Sequence, residues 1–257
     1  MKLEIRDLTF SYDGKKNVLD GISTSFESGE FTVVLGRNGA GKTTLFKNLL
    51  GLLKPQKGEV LCDGLSFSDM SVREKARKIA YIPQESNPAF SYSVLTSVLM
   101  GTTSMISSLS SPKEKEIRKA YEALEKFHIA DLAGRKTNTL SGGERQLVLC
   151  ARAVAQEAGI LLFDEPTSNL DWANQIKTLG NIRALTRDGY TAIVSTHNLE
   201  QALNFASRII LIKDGKLCYD ASPAELASSS LLSSFYDIDI SVEEYKGHYI
   251  CIPKESE

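Results

Sequence analysis

Short apolar runs and glycine-centred turns alternate along the first part of the chain. Residues 3–10 and 18–26 alternate between apolar and polar positions on either side of a turn, which predicts two strands. Residues 31–35 are apolar and β-branched almost throughout, as expected of a buried parallel strand. This run leads straight into a glycine-rich segment, and residues 44–50 then have helical spacing that stops at Gly51. The pattern predicts a strand, a glycine loop and a helix in succession.

The middle of the chain has a different pattern. Residues 79–82 form another apolar run, but from about Glu85 to Arg135 the spacing is helical and more polar. Within this block we expect residues 102–111, which are rich in serine, to form an exposed loop. A charged amphipathic helix should then begin at Pro112 and run to about Phe127, with its apolar side formed by Ile117, Ala120, Tyr121 and Leu124. We interpret residues 85–135 as an inserted helical subdomain.

Strand-like patterns return in the last part of the chain. Residues 160–163 and 192–195 predict buried strands with a helix between them, and a hairpin is expected around Asp214-Gly215. Residues 224–235 have helical spacing, and residues 237–252 are strand-like around Lys246-Gly247.

These elements together predict one α/β domain. The nucleotide-binding core and an N-terminal antiparallel β subdomain would comprise residues 1–84 and 136–222. The helical subdomain is inserted between those two segments, and residues 223–257 would be a short C-terminal extension.

Composition narrows the class of protein. The chain has 257 residues, of which 42% are hydrophobic and 24% charged, and its formal net charge is −2. This balance is ordinary for a globular protein and gives no reason to expect nucleic acid as a partner. No apolar run approaches the ~18 residues of a membrane span, and the N-terminus has the pattern of a strand and not of a signal peptide.

The four cysteines, at positions 62, 150, 218 and 251, show no C-x-x-C spacing. We therefore expect them to be reduced, buried thiols of a cytoplasmic protein.

The glycine-rich segment is a full match to the G-x-x-x-x-G-K-[ST] phosphate loop. Glycines let backbone amides turn inward around oxyanions, and the following helix adds the positive end of its dipole. The lysine would neutralise charge on the β- and γ-phosphates, and the first hydroxyl would ligate Mg²⁺. The predicted nucleotide-binding residues here are Gly36, Arg37, Asn38, Gly39, Ala40, Gly41, Lys42, Thr43 and Thr44.

Two acidic residues, Asp164 and Glu165, follow the buried strand at residues 160–163. Carboxylates at the tip of such a strand lie at the edge where open α/β sheets bind ligands. Asp164 would hold Mg²⁺ through its water shell, and Glu165 could polarise the water that attacks the γ-phosphate. Solvated strand-end acids are the alternative, and the phosphate loop makes the catalytic interpretation the preferred one.

A second glycine turn, Ser141, Gly142 and Gly143, opens another helix about a hundred residues after the phosphate loop but has no lysine. The serine hydroxyl, the glycine amides and the helix N-terminus together form an anion site. Ser141 could also be an N-cap with Glu144 completing a capping box, and the two roles can coexist. Two phosphate-type turns, one of them without a lysine, suggest an active site completed by a second copy of the chain.

The ordered set of motifs resembles an ATP-binding cassette (ABC) ATPase. Besides the segments above, it includes Gln84, residues 140–146, residues 168–171 and His197, and it covers nearly the whole chain. The resemblance implies that Tyr12 stacks on adenine, that Gln84 senses the γ-phosphate and the metal, and that His197 contacts the γ-phosphate. The 168–171 segment, which includes Asp171, would link the two sites of a homodimer that sandwiches two ATP molecules. Lys42, Gln84, Glu165 and His197 are then the catalytic candidates, and Thr43, Gln84 and Asp164 the Mg²⁺ candidates.

A narrower resemblance is to the ATPases of importers for iron–siderophore, haem, cobalamin or molybdate. It rests on residues 88–94, residues 98–101, residues 173–175 and the C-terminal extension. It implies transmembrane permease subunits, an extracytoplasmic substrate-binding protein, and a peripheral location on the cytoplasmic face of the membrane. This chain has Thr102 where arginine is frequent, Asn169 where alanine is common and Asn198 where aspartate is usual.

Three other classes of ABC protein remain open at this point. They are an exporter ATPase, a soluble ABC protein that clamps ribosomes or DNA, and a nucleotide sensor that does not hydrolyse ATP. One cassette and a modest insertion argue against the second class. The intact Lys42, Asp164, Glu165 and His197 argue against the third.

Overall fold

The computed structural model describes residues 1–84, 91–105, 112–228 and 230–254. The strands are β1 (Leu3–Phe10), β2 (Leu19–Phe26), β3 (Phe31–Leu35), β4 (Lys57–Cys62), β5 (Leu65–Ser66), β6 (Ile79–Ile82), β7 (Ile160–Asp164), β8 (Thr191–Thr196), β9 (Arg208–Lys213), β10 (Lys216–Ala221), β11 (Ile240–Tyr245) and β12 (His248–Pro253). The α-helices are α1 (Lys42–Leu49), α2 (Val72–Ala76), α3 (Val94–Leu99), α4 (Glu114–Lys126), α5 (Gly142–Ala155), α6 (Trp172–Arg187), α7 (Leu199–Phe205), α8 (Pro223–Ala227) and α9 (Leu231–Tyr236). Short 3-10 helices lie at Phe67–Asp69, Met100–Met105, Ala130–Leu132 and Thr137–Thr139.

The chain divides into two compact units. The first comprises Met1–Ser68 and Ile193–Glu257, and the second comprises Asp69–Ala192. The predicted helical insertion falls within the second unit. Its stated boundaries, and those of the C-terminal extension, stay predictions.

The first unit contains an antiparallel sheet in the order β2-β1-β4-β5. Leu3, Ile5, Leu8 and Phe10 of β1 are buried, so the predicted alternation holds on either side of an irregularity, where the register shifts between Ile5 and Leu8. In the same unit β3 pairs in parallel with β9, with Val33 opposite Ile209. All five residues of β3 are buried, so the continuous apolar run is explained by packing on both faces.

The hairpin predicted around Asp214-Gly215 is confirmed, and the strand-like segment around Lys246-Gly247 forms a second hairpin in the first unit. β9 and β10 pair antiparallel around Asp214-Gly215, and β11 and β12 around Lys246-Gly247. The two turn residues have φ of 51° and 76° in the first hairpin and 51° and 77° in the second. Positive φ at both central positions is the geometry that matches the twist of two-residue hairpins.

The second unit pairs β6 with β7 in parallel, with Ile79 opposite Ile160 and Ile82 opposite Phe163. Helices α3, α4 and α5 pack against one another in this unit. The amphipathic helix predicted from Pro112 is α4, but its buried side differs from the predicted one. Ala120, Ala123 and Leu124 are buried, whereas Ile117 and Tyr121 are 38% and 40% exposed. The periodicity identified the helix, but packing against only part of the stripe decided which residues are buried.

Two further expectations were wrong. Thr102, predicted to open an exposed loop, is fully buried in a 3-10 helix and donates its hydroxyl to the carbonyl of Leu99 at 2.8 Å. Cys218 is exposed and Cys251 half-buried, so only Cys62 and Cys150 are the buried thiols we expected; all four are free.

The rest of the serine-rich stretch, residues 106–111, lies outside the described residues, as do residues 88–90 of the importer-like motif. No helix in the described ranges is long and apolar enough to cross a membrane.

Candidate nucleotide-binding site

The glycine-rich loop joins β3 to α1 in the first unit. The amide of Gly36 donates to the carbonyl of Thr196 at 3.3 Å. An added Cβ on Gly36 would lie 2.7 Å from the carbonyl oxygen of Ile212, and one on Gly41 would lie 2.8 Å from that of Val18. Gly41 also has φ of 103°. The loop can therefore take this shape only with glycine at both positions.

Lys42 is the first residue of α1, and its side chain folds back under the loop. It is 6% exposed, and its Nζ donates to the carbonyl oxygens of Gly36 (2.8 Å) and Arg37 (3.3 Å). Ala40 is buried, but Arg37, Asn38, Gly39 and Thr43 are exposed. A buried ammonium group beneath an exposed loop, at the N-terminus of a helix, is a geometry suited to a polyphosphate.

Tyr12 lies beside this loop. Its ring is 60% exposed and stands edge-on to Phe10 at 4.9 Å between ring centroids. Its hydroxyl is 3.2 Å from Oγ1 of Thr44 in α1. An exposed aromatic ring tied to the helix of the phosphate loop is well placed to stack on a base.

His197 directly follows β8 and is exposed, and the residue before it bonds to the phosphate loop through Gly36. Asn198, which replaces the usual aspartate, is the N-cap of α7 and accepts from the amide of Gln201 at 3.0 Å. Asparagine caps helices as well as aspartate does, so the replacement keeps this function. The first unit thus brings together Tyr12, the whole phosphate loop and the strand end that carries His197.

The acidic strand end belongs to the second unit. Asp164 is the last residue of β7 and is 3% exposed. Tyr81 of β6 donates its hydroxyl to Oδ2 of Asp164 at 3.1 Å. Burial, and then the neighbouring carboxylate, raise the pKa of Tyr81 well above its ordinary value. Tyr81 is therefore a permanent donor that helps to satisfy a buried carboxylate.

Glu165 has a strained backbone. Its φ is 45°, in the left-handed region that costs non-glycine residues ~1–3 kcal/mol and that occurs often at functional sites. Its carbonyl accepts from the hydroxyl of Ser168 at 3.0 Å, and its Oε2 accepts from Nε2 of Gln84 at 3.3 Å. Nε2 of Gln84 also lies 3.4 Å from Oγ of Ser168. The second unit thus brings Gln84, Asp164 and Glu165 together around one strand end.

The second glycine turn opens α5 as a capping box. Oγ of Ser141 accepts from the amide of Glu144 at 3.2 Å, and the amide of Ser141 donates to Oε2 of Glu144 at 2.7 Å. The bond from the amide of Ser141, and then a hydrogen bond from its side chain to the same carboxylate, lower the pKa of Glu144 below its usual range. The capping role predicted for Ser141 is confirmed. Ser141 and Gly142 remain exposed while Gly143 is buried.

Asn174 connects this turn to the 168–171 segment. In the sequence it is included only as part of residues 173–175 of the importer-like resemblance, with no role in the site. Asp171 caps α6 by accepting from the amide of Asn174 at 2.9 Å, and it also accepts from Nδ2 of Asn174 at 2.8 Å. The bond from the backbone amide of Asn174 is the larger of the two effects that lower the pKa of Asp171 below its ordinary value, and the bond from its side chain adds to it. An added Cβ on Gly143 would lie 2.9 Å from Cγ and Oδ1 of Asn174. The amide of Asn174 therefore fits against the bare backbone of the glycine turn.

The sequence alone also did not identify Tyr81 as a partner of Asp164. Tyr81 is a member of an apolar strand, and only the parallel pairing of β6 with β7 brings its hydroxyl to Asp164. For Asn174 a local signal was available, because asparagine three residues after an N-cap aspartate can bond to it.

The loop, the acidic strand end and the capped glycine turn define the class of P-loop nucleotide-binding cassettes. The family model "ABC transporter" matches residues 19–168. The chain belongs to this family: it is an ABC transporter ATP-binding subunit, and thus an ATP hydrolase coupled to transport.

Individual relatives agree with this assignment. An uncharacterized ABC transporter ATP-binding protein of Haemophilus influenzae is 42% identical over 82% of this chain and 80% of its own length. A probable iron chelatin transport ATP-binding protein of Helicobacter pylori is 38% identical over 92% and 93%. A phosphite import ATP-binding protein of Stutzerimonas stutzeri is also 38% identical, over 89% and 85%.

Solved structures confirm the predicted fold class, an α/β cassette core with an N-terminal antiparallel β subdomain and a helical subdomain. A transporter described as metal-chelate type, in an inward-facing conformation, superposes with a TM-score of 0.86 at 30% identity, covering 98% of this chain and 97% of that one. A bacterial ABC transporter cassette solved as a dimer gives a TM-score of 0.75 at 28% identity, covering 86% and 98%.

Proposed function

We propose that this chain powers the import of a metal-chelate-type substrate, such as an iron–siderophore, haem, cobalamin or molybdate, through a permease. It would act as a homodimer at the cytoplasmic face of the membrane, together with an extracytoplasmic substrate-binding protein. Mg²⁺ would accompany ATP.

One observation carries the substrate class. Sequence identity alone does not distinguish between substrate classes, since the iron chelatin and phosphite relatives are both 38% identical to this chain. The match to the metal-chelate type transporter, however, covers 98% of this chain, and so it extends through most of the C-terminal section formed by α8, α9, β11 and β12. A shared C-terminal section supports a shared type of transport system.

The homodimer is supported by the two glycine turns. The Lys42 loop belongs to the first unit and the Ser141 turn to the second, and each exposes backbone at the N-terminus of a helix. In the proposed dimer, the Lys42 loop of one copy and the Ser141 turn of the other bind the same ATP. The similar cassette solved as a dimer supports this arrangement.

Each predicted site residue then has a role in hydrolysis. Lys42 and the loop amides neutralise and hold the phosphates, and His197 contacts the γ-phosphate. Glu165 orients the attacking water and accepts its proton. The water breaks the bond between the γ-phosphate and ADP, and release of the phosphate then removes the charge that both turns bind, so the two copies separate.

Mg²⁺ fits the residues present. The exposed hydroxyl of Thr43, the carboxylate of Asp164 and the amide oxygen of Gln84 are the oxygen ligands that this ion prefers. Mg²⁺ bound with ATP would neutralise charge on the β- and γ-phosphates.

The first test is Glu165→Gln, which should bind ATP normally, hydrolyse it at least ~100-fold more slowly, and accumulate as an ATP-bound dimer. Glu157→Gln is a matched control. Glu157 also has a left-handed backbone (φ 55°), but it follows α5 and not the C-terminal end of β7. Its ATPase rate should equal that of the unmodified chain. If Glu165→Gln hydrolysed ATP at the rate of the unmodified chain, Glu165 would not be the general base.

The substrate class is tested with the permease that co-purifies with the chain. Reconstituted in vesicles with its binding protein, the complex should take up an iron–siderophore, haem, cobalamin or molybdate in an ATP-dependent manner. Uptake of phosphite or phosphonate in place of all of these would contradict the proposed substrate class, and ATP-dependent efflux would contradict import.

A further inference from the structure

The segment that includes β6 contacts both acids at the C-terminal end of β7. Tyr81, within β6, donates its hydroxyl to Oδ2 of Asp164 at 3.1 Å. Gln84, two residues after the strand, donates its side-chain amide to Oε2 of Glu165 at 3.3 Å. Of these four side chains, Tyr81 alone has no role in the proposed hydrolysis.

The pairing of the two strands fixes the contact of Tyr81. β6 and β7 are parallel, with Tyr81 opposite Leu162. Leu162 and Asp164 lie on the same face of β7, because side chains two positions apart point to one side of a strand. Tyr81 therefore lies on the face that carries Asp164, and its long side chain reaches the carboxylate one step further along. The backbone of the sheet thus holds the hydroxyl at the acid.

The hydroxyl of Tyr81 is a neutral donor to a buried charge. Asp164 is 3% exposed, and a buried carboxylate needs hydrogen-bond donors to stay ionised. A lysine or arginine would also supply donors, but its positive charge would oppose the attraction of Mg²⁺ to the site. Burial raises the pKa of Tyr81 well above its ordinary value, so the phenol stays protonated and neutral. An ionised carboxylate can accept about four hydrogen bonds, so Asp164 keeps its charge and can still accept from the water shell of the ion.

We propose that Tyr81 is a positioning residue for Mg²⁺. Its hydroxyl holds the carboxylate of Asp164 ionised and in the orientation that the water shell of the ion requires. This inference rests on the proposed Mg²⁺ site, in which Asp164 takes part. Groups that hydrogen-bond to a metal-binding side chain fix its orientation, and their removal lowers metal affinity by roughly 10–100-fold. Tyr81 acts through Asp164 and not by contact with the ion.

The test compares the affinity of the full chain for a non-hydrolysable ATP analogue in Mg²⁺ and in EDTA, measured by isothermal titration calorimetry. The Kd in EDTA divided by the Kd in Mg²⁺ gives the contribution of the ion to binding and does not depend on turnover. In Tyr81→Phe this ratio should fall by roughly tenfold or more, while the Kd in EDTA stays that of the unmodified chain. A merely structural role would change both constants equally and leave the ratio as it was.

Two further variants complete the experiment. Tyr190→Phe is the matched control, because Tyr190 is also half-buried in the second unit but lies at the other end of β7, where the amide of Thr191 donates to the carbonyl of Gly159. Its ratio should equal that of the unmodified chain. Asp164→Asn removes the charge itself and should lower the ratio at least as much as Tyr81→Phe. In the double variant the loss should not exceed that of Asp164→Asn alone, because both changes act on one group.

Each way of failing has a different result. If Asp164→Asn lowers the ratio but Tyr81→Phe does not, Tyr81 is not a positioning residue, and the proposed Mg²⁺ site is unaffected. The role of Tyr81 is also overturned if Tyr81→Phe weakens binding equally in Mg²⁺ and in EDTA, or if it adds to the loss in Asp164→Asn. An unchanged ratio in Asp164→Asn would instead overturn the Mg²⁺ site at Asp164, and the inference about Tyr81 with it.

Discussion

The contact between Gly143 and Asn174 yields a quantitative prediction about folding. In Gly143→Ala the new methyl group would lie 2.9 Å from Cγ and Oδ1 of Asn174 and 3.1 Å from its Nδ2. Such distances force a neighbour to move, and the side chain of Asn174 can turn away only by giving up its Nδ2 bond to Asp171. Its backbone bond to Asp171 is unaffected. Overpacking a close-fitted site costs ~1–3 kcal/mol, while alanine in place of helical glycine gains ~0.5–1 kcal/mol. The free energy of unfolding should therefore change by between about zero and a loss of about 2.5 kcal/mol, and Gly143→Ala should be less stable than Gly142→Ala by about 1–3 kcal/mol, because the helical gain is common to both variants.

The adjacent glycine provides the control. Gly142 lies in the same helical turn, but a Cβ there would meet its nearest atom at 3.5 Å, an ordinary contact distance. Gly142→Ala should therefore be neutral or more stable by ~0.5–1 kcal/mol. Urea denaturation of both variants measures the difference. Gly143→Ala as stable as Gly142→Ala would refute the reasoning.

A rescue variant tests whether Asn174 is the neighbour responsible. Asn174→Ala removes the atoms that the new methyl group would meet, at the cost of the Nδ2 bond to Asp171. In the double variant, Gly143→Ala should therefore cost less than it does alone, with a coupling of ~1 kcal/mol in a double-mutant cycle. No coupling would show that the strain is located elsewhere.

Two other predictions concern buried groups. Tyr81→Phe removes a hydrogen bond to the buried carboxylate of Asp164 and should lower the free energy of unfolding by ~1–2 kcal/mol, whereas Tyr121→Phe, at an exposed position, should have no effect in the same urea assay. Burial raises the pKa of the Cys150 thiol from 9.0 to about 12. The folded state therefore favours the protonated thiol. The contribution of this group to stability is complete below pH 9 and is lost as the pH rises towards 12. Stability should therefore fall more steeply above pH 9 in the unmodified chain than in Cys150→Ala, by up to ~1.4 kcal/mol per pH unit, and equal slopes would contradict the assignment.

The sequence by itself determined the features that depend on near neighbours in the chain. The phosphate loop is one, because the positive φ of Gly39 and Gly41 is a local property that favours glycine. The Ser141 capping box is another, since its two residues lie three positions apart. The hairpin turns at Asp214-Gly215 and Lys246-Gly247 follow the same logic, because φ at each turn residue is a local property.

Only the tertiary structure decided the features that join distant residues or select one face of an element. Tyr81 and Asp164 are 83 positions apart and meet only through strand pairing. The periodicity of α4 gave a stripe that included Ile117 and Tyr121, but the position of its neighbours left both partly exposed. Thr102 looked polar and exposed, yet its hydroxyl bonds to a carbonyl of its own turn, so it could be buried. Hydrogen-bonding and packing partners far along the chain depend on the whole fold, and no local pattern specifies them.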